Sequence, residues 1–532
     1  MKDRKQIDRS TATPGNVAAR EDGPRTTTRA ADRPMPLRRV HGERILALPL
    51  DPASDTPMYR QVYLGVRKAI RDGVVQPGTR LPSTRALASD LRISRNTVVM
   101  AYEQLRAEGY TVGRGGSDTR VATTLPDHVM QPAALPPRTM RSTARASTLA
   151  RNVAGIWDSV TPRLEQPPRA FRAGVPATDL FPYALWGRLL SRRWQRITAR
   201  DLGYANPQGY LPLREAVASY LAASRGVRCT ADQVFIVGGA QAGLSIAARL
   251  ALDPGDRAWI ENPGYHGARG ALLATGARPV PIAVDAEGMR VEDGLRDAAD
   301  ARAAFVTPSR QLPLGVTMSA ARREALLAWA ARAKAWIVED DYDADLRFAT
   351  RPLPAIQGSD THGCVLHIGT FSKVLFPSLR LGYLVVPPDL VPAALAMRHM
   401  HDVHSPTLEQ MVLTDFITEG HFERHVRRLR HVYLERQQAL RDGVQRHLRG
   451  MLELTPGEAG LFVVGWLPAG VSDEKAAALA AAEGVDVMPL SRMGEGPIHP
   501  GLVLGYAGLN VADIAEGVQR LTRALAPLRG LR

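Results

Sequence analysis

Val365-Leu-His-Ile-Gly-Thr-Phe-Ser-Lys373 decides how the larger part of this chain reads. The apolar run 365–368 is a short buried strand, closed by Gly369 and small hydroxyl residues. A lysine then stands between that strand and a Leu/Phe/Pro stretch, with Arg380 seven residues on. Partial desolvation disfavours the charged ammonium there, so a neutral amine becomes available as a nucleophile that can form a Schiff base. By itself a lysine at a strand end reads as a surface cation. Working outward, Glu339-Asp340-Asp341-Tyr342-Asp343 follows the run 335–338, so acids sit at the carboxyl end of a strand, where open α/β sheets bind ligands. A bare acidic cluster also reads as a solvated loop or a magnesium site. Further upstream, Ile236-Val-Gly-Gly-Ala-Gln-Ala-Gly-Leu244 joins a strand to a helix through small residues. Such a turn exposes backbone N–H groups to an anion, although many are merely tight turns. From about residue 167 onward, the runs 233–237, 257–260, 303–306, 335–338, 365–368 and 382–386 alternate with Ala/Leu/Arg helices, the mark of a largely parallel sheet.

The chain has 532 residues, too many for one core at roughly 100–200 residues per domain. With 45% apolar and 23% charged residues, wholly disordered and fibrous classes are excluded. No window approaches 18 consecutive apolar residues, and the basic N-terminus has no apolar core of a leader, so neither secretion nor membrane anchoring is expected. Cys229 and Cys364, far apart, make neither a disulfide framework nor a cysteine metal cluster; a cytoplasmic protein without a metal is the expectation. Residues 1–127 carry 22 Lys and Arg against 14 Asp and Glu, a balance of +8, and the rest of the chain shares the other +7 of the net +15. That asymmetry favours an anionic polymer as partner of the N-terminal part, the plainer alternative being an arginine-rich composition.

Four regions follow. Residues 1–50 lack apolar periodicity and are expected to be a disordered basic arm. Residues 51–122 form a compact module, 123–165 a semi-extended basic linker rich in Pro and Ala, and 166–532 the large α/β domain. Within the module, Pro57 opens a helix whose Tyr59, Tyr63, Val66 and Ile70 recur at helical spacing until Gly73. Ser83 caps a second helix over 84–91, and three residues later Ser94 caps a third. Val98, Ala101, Tyr102 and Leu105 face inward, which leaves Arg95, Asn96, Thr97 and Met100 on other faces near its start. Two short helices joined by a three-residue turn are helix-turn-helix geometry, in which the start of the second helix reaches base edges. Residues 109–121 then read as a hairpin, a wing.

The runs Pro57-Met-Tyr-Arg-Gln-Val-Tyr, Leu81-Pro-Ser-Thr-Arg-Ala-Leu-Ala, Ser94-Arg-Asn-Thr-Val-Val and Tyr102-Glu-Gln-Leu-Arg-Ala-Glu-Gly-Tyr resemble the winged helix-turn-helix of GntR regulators. The resemblance implies that Arg85, Arg95, Asn96 and Thr97 approach the major groove, with Arg114 and Gly115 of the wing tip near the minor groove. A guanidinium can fork onto guanine, and a Thr methyl can meet a thymine methyl. The runs Tyr204-Ala-Asn-Pro-Gln-Gly-Tyr, Gly238-Gly-Ala-Gln, Asn262-Pro-Gly-Tyr265, Thr307-Pro-Ser, Glu339-Asp-Asp-Tyr342 and Thr370-Phe-Ser-Lys373 resemble fold-type I aminotransferases that bind pyridoxal 5'-phosphate. That likeness implies an internal aldimine at Lys373, Asp340 on the pyridinium nitrogen, Tyr342 on the ring hydroxyl and Tyr265 stacked on the ring. It implies a phosphate cup of Ala240, Gln241, Thr370, Ser372 and Arg380.

Joined by a long linker, the two parts are similar to the MocR subfamily of GntR regulators. The expectation is a winged helix-turn-helix domain followed by an α/β fold-type I transferase domain, in a transcriptional regulator that binds a double-stranded DNA operator. Its signal would be an amino acid, an amine or a vitamin B6 vitamer, and the large domains would pair head to tail as a homodimer. Departures from the subfamily pattern mark Arg310, in Pro308-Ser-Arg-Gln-Leu-Pro-Leu-Gly315, and Asn206, in Tyr204-Ala-Asn-Pro, as candidate effector contacts. The stretch that resembles the strand where aminotransferases of this fold carry the arginine that clamps a substrate carboxylate reads Gly501-Leu-Val-Leu-Gly-Tyr-Ala, without an arginine, and Arg492 is the nearest substitute. The alternatives left open are a working aminotransferase with a DNA-binding appendage and a scaffold that no longer holds cofactor.

Overall fold

A computed structural model describes residues 38–40, 43–45, 48–113, 118–126, 145–160, 169–348 and 354–529. It divides into two compact units, residues 1–143 and 144–532.

In the first unit, helix α1 (Met58–Arg71) starts at Pro57, α2 (Thr84–Leu91) at Ser83 and α3 (Arg95–Ala107) at Ser94. Ser83 Oγ accepts from the N–H of Ala86, and Ser94 Oγ accepts from the N–H of Thr97 at 3.1 Å, each satisfying a donor that the first turn of a helix leaves orphaned. Between α2 and α3 the chain reverses through Arg92 in the left-handed region, at φ 54°. The expected core residues Val98, Ala101, Tyr102 and Leu105 of α3 are buried with Val62, Val66 and Ile70 of α1. Strands Thr111–Val112 and Arg120–Val121 pair antiparallel, while the expected contacts at Arg114 and Gly115 lie outside the described residues. Ser94→Ala is expected to cost about 1 kcal/mol of local stability. In the full chain that reads as roughly fivefold faster amide hydrogen exchange over 84–107, and an unchanged rate would remove the cap from the account.

Two sequence expectations need correction here. The core of the module runs beyond 51–122, because Leu48 and Leu125 are buried in it, and the antiparallel strands Arg38–Val40 and Glu43–Ile45 lie inside the region expected to be a disordered arm. The remainder of that arm, 1–37, lies outside the described residues. Within the expected linker, helix α4 (Thr148–Val160) packs on the helix His266–Thr275 of the second unit, so the α/β unit begins before residue 166. The reason is local: Leu149, Val153 and Ile156 recur at helical spacing, and Leu149 comes close to Gly276, although Arg, Ser and Pro dominate the surrounding composition.

The second unit is built on an eight-stranded sheet. In spatial order its strands are Val234–Val237, Gly382–Val385, Val365–Thr370, Trp336–Asp340, Ala303–Val306, Arg257–Asn262, Arg278–Asp285 and Gly288–Met289. Five of these neighbour one another in parallel, whereas Gly382–Val385 runs against both its neighbours and Gly288–Met289 against its one. Val234–Val237, Ala303–Val306 and Val365–Thr370 are buried along their whole length, which is why they read as apolar runs. A second, four-stranded antiparallel sheet contains Glu453–Leu454, Phe462–Trp466, Gly501–Gly505 and Met488–Pro489. Leu461, Phe462 and Val503 from this region share a buried apolar cluster with Tyr342, Phe371 and Leu375 from the large sheet's loops. This contact closes one side of the site.

Candidate functional site

Register brings the chemistry together. Asp340 pairs with Ile368, and Thr370 with Gly382, which in turn pairs with Val237. The carboxyl ends of the strands carrying Asp340 and Thr370 therefore lie side by side, next to the turn Gly238-Gly239 that opens the helix Ala240–Ala251. Around this edge lies a cavity of about 350 Å³, lined among others by Ala240, Gln241, Tyr265, Asp340, Tyr342, Thr370, Ser372, Lys373 and Arg380. The nine residues expected at a cofactor thus meet in one place.

Two ends of the cavity differ chemically. At one, the first turn of the helix Ala240–Ala251 presents backbone N–H groups beside Ser372, whose Oγ is buried without a hydrogen-bond partner. Arg380, itself at φ 49°, donates to the Gly238 carbonyl at 2.7 Å and passes so close to Gly239 that a Cβ there would lie 3.1 Å from its guanidinium. Gly239 has φ 90°, so that position favours glycine on conformational grounds as well. Helix N-terminus, hydroxyl and guanidinium together make an anion cradle. At the other end, Asp340 is buried with Oδ1 unpaired. Burial, then the charges of Asp341, Asp343 and Glu261, push its carboxyl up to about 7, with His367 opposing. An orphaned acceptor in that setting suits a cationic N–H.

Lys373 Nζ donates to the Gly174 carbonyl at 3.0 Å. Burial lowers its pKa, against the pull of Asp343 and Asp340. Tyr265 donates from its hydroxyl to Gln241 Oε1 at 3.2 Å, and burial pushes its pKa up to about 12. Gln241 in turn donates to the Gly267 carbonyl, so its side chain braces Tyr265. Below the floor, Asp341 is committed to Arg225 at 2.7 Å in a pair with both side chains almost fully enclosed.

The three candidate effector contacts are not at the cavity. Arg310 is 6% exposed and spent: it donates to Asp343 at 3.1 Å, to the Phe462 carbonyl and to the Tyr342 hydroxyl at 3.4 Å, and its guanidinium lies 3.9 Å from the centre of the Phe462 ring. Its added cation neutralises a buried acid and sets the position of Tyr342. Arg492 pairs with Glu474 at 3.0 Å, both half exposed, and lines a separate, smaller cavity of about 170 Å³. Asn206 is exposed and accepts from the Gln208 N–H within its own turn. Conversely, His266, Met488 and Met493 line the Lys373 cavity and were not singled out from sequence. The position of His266 directly after Tyr265 was the available signal. Burial pushes the His266 imidazole down to about 4, so it is neutral at pH 7.

In the first unit, Arg85, Arg95 and Asn96 are exposed and Thr97 is half buried. The Thr97 hydroxyl is held 2.8 Å from Ser94 Oγ, and Arg95 reaches Thr84 Oγ1 at 3.5 Å.

Residues 192–521 match the family "Aminotransferase class I and II", and residues 58–121 match "Bacterial regulatory proteins, gntR family". The chain is 42% identical over 485 residues, 90% of its length and 96% of the relative's, to the probable rhizopine catabolism regulatory protein MocR of Rhizobium meliloti. It is 33% identical over 90% of its length to the HTH-type transcriptional regulator TauR of Rhodobacter capsulatus, 98% of which is covered. Among solved structures it is similar to LysN, an alpha-aminoadipate aminotransferase of Thermus thermophilus complexed with N-(5'-phosphopyridoxyl)-L-leucine. The TM-score is 0.63 and the identity 29%, with 73% of this chain and 96% of that one covered.

Proposed function

The chain belongs to the MocR subfamily of gntR-family transcriptional regulators, which join a DNA-binding domain to a class I and II aminotransferase domain, and from that premise we propose that its large domain holds pyridoxal 5'-phosphate at Lys373 to read a signal. It is a DNA-binding regulator of transcription. The aminotransferase class I and II family depends on pyridoxal phosphate. What supports a cofactor in this chain is one arrangement: an anion cradle with a spare Ser372 hydroxyl at one end of a cavity, an orphaned Asp340 oxygen at the other, and Lys373 among its lining residues. The donor set fits a phosphorylated, cationic heterocycle.

When bound, the cofactor supplies an aldehyde that combines reversibly with primary amines. The protein's own groups have distinct tasks. Ala240, Gln241, Thr370, Ser372 and Arg380 hold the phosphate, Asp340 keeps the ring nitrogen protonated, and Tyr265 and Tyr342 fix the ring plane and its hydroxyl. Lys373 gives the amine, which burial keeps closer to its neutral form. The signal is an amino acid, an amine or a vitamer that shifts the large domain between states of different DNA affinity. A head-to-tail homodimer acting in the cytoplasm completes the reading. Tyr204, Met400 and Leu202 are 92%, 80% and 67% exposed, large apolar groups that a second copy would cover. Among the described residues no helix is long and apolar enough to cross a membrane.

On the DNA side, Arg85, Arg95, Asn96 and Thr97 are the base-reading set, with Arg114 and Gly115 at the wing. Arg95→Ala is expected to weaken operator binding about tenfold or more and to relax preference at one base position. A titration of the full-length protein with its own upstream DNA at several salt concentrations checks this. Unchanged affinity and unchanged salt dependence would remove Arg95 from the interface.

A further inference from the structure

Resting on the reading that Lys373 holds the cofactor, we propose that the ligand received in this cavity is a primary amine without a carboxylate, carried on an uncharged and mainly apolar body. The walls beyond the cofactor-holding residues are mainly apolar, with Leu312, Leu461, Phe462, Met488, Met493 and Val503 beside Ala173, Gly174, Pro377 and His266. Leu461, Phe462 and Val503 are each no more than 2% exposed. A carboxylate brought against such walls loses its water and needs a cation in return.

Among the described residues, the arginines near the site each have a partner. Arg310 is locked onto Asp343, the Phe462 carbonyl and the Phe462 ring, and does not line the cavity. Arg492 pairs with Glu474 at the surface and lines a neighbouring cavity that shares Tyr265, His266 and Met493 with this one, but it does not line this one. Arg380 is tied to the Gly238 carbonyl at the phosphate end. Among the described residues, Lys373 and Arg380 are the cations that line the cavity. The neutral His266 adds no charge. The acids offer a carboxylate no partner either: Asp340 lines the cavity facing the ring nitrogen, and Asp343 is held by Arg310.

Val503 is the informative position. It occupies the middle of the strand Gly501–Gly505 and is paired in register with Val464 on one side and Met488 on the other. Two neighbouring strands therefore hold it, and the wall it forms cannot be exchanged for a polar one by a loop movement. An apolar body gains from that wall what a carboxylate would lose.

The test uses full-length protein loaded with pyridoxal phosphate and matched ligand pairs that differ only by the carboxylate: 3-methylbutylamine against leucine, and 2-phenylethylamine against phenylalanine. The change in the cofactor's absorbance gives the half-saturating concentration, each value divided by that of the same ligand with free pyridoxal phosphate. The amine of each pair is expected to half-saturate at a concentration at least tenfold lower than its amino acid. Equal or tighter binding of the amino acids overturns the inference, as does a panel in which no amine shifts the band. A protein that forms no starting band with pyridoxal phosphate overturns the cofactor reading instead, and this inference with it.

Discussion

Lys373→Ala abolishes covalent capture of the cofactor: after incubation with pyridoxal phosphate and reduction with borohydride, the wild-type chain gains the cofactor's mass on the peptide containing residue 373, and the variant gains none there. The expectation follows from the charge state of the amine. An ordinary lysine, with a pKa near 10.4, is neutral in only about one molecule in a thousand at pH 7.5, and each unit of lowering raises that share tenfold. Lys373 is lowered by burial, although Asp343 and Asp340 pull the other way. The chain has six lysines. Lys68, Lys334 and Lys475 are exposed. Among the described residues Lys373 is the lysine withdrawn from solvent, so its removal takes away the favoured site. The DNA-binding module has its own core, so the variant keeps its basal affinity for DNA and loses only the response to ligand. Equal labelling of wild type and variant, spread over other lysines, would refute the assignment.

Asp340→Asn is expected to act in opposite directions on stability and on cofactor binding. In the cofactor-free protein the Asp340 carboxyl is raised from 3.8 to about 7, first by burial and then by Asp341, Asp343 and Glu261. A carboxyl raised in the folded state holds a proton that the unfolded chain releases, so its contribution is fully present below pH 4 and is lost as pH rises through 7. The cost of ionising it in place is of order 4 kcal/mol at most. Asparagine has nearly the same shape and no proton to lose. The variant should therefore melt higher than wild type at pH 8 without cofactor, and the two should converge at pH 4. Glu261, raised to about 7, and Asp343, raised to about 6, remain in both proteins, so the difference between them reports Asp340 together with its coupling to these neighbours. Cofactor binding moves the other way. Loss of the carboxylate leaves a cationic ring nitrogen without its counter-charge, which costs about 3 kcal/mol or more, a hundredfold in affinity. Parallel melting curves across pH 4–8 would show that Asp340 does not titrate as described.

Local chemistry was legible from the residues. Ser83 and Ser94 announced helix starts because a capping hydroxyl acts within three residues of itself. The strands leading to Asp340 and Thr370 were legible as the apolar runs 335–338 and 365–368, each of which extends two residues further in the structure. Those two facts, with the glycines at 238 and 239, bring the nine residues proposed to hold the cofactor to one edge of one sheet.

Which charges remain available was not legible. Arg310 is neutralised by Asp343, 33 residues away, and by a carbonyl 152 residues away. Arg492 and Glu474 are 18 residues apart. A sequence shows that a cation exists, whereas its partner is chosen by the packing of distant segments, and burial makes that choice energetically decisive. The same holds for the cavity wall. Phe462, Met488 and Val503 come from a second sheet at least 89 residues beyond Lys373, and their contact with the first is made by apolar burial, which has no direction and leaves no motif. The sequence by itself determined the two domain types, the helix caps and the set of residues suited to a phosphate and a ring nitrogen. Only the tertiary structure decided that the remaining walls are mainly apolar and that Arg310 is spent, because both depend on which remote groups share a space from which water has been removed.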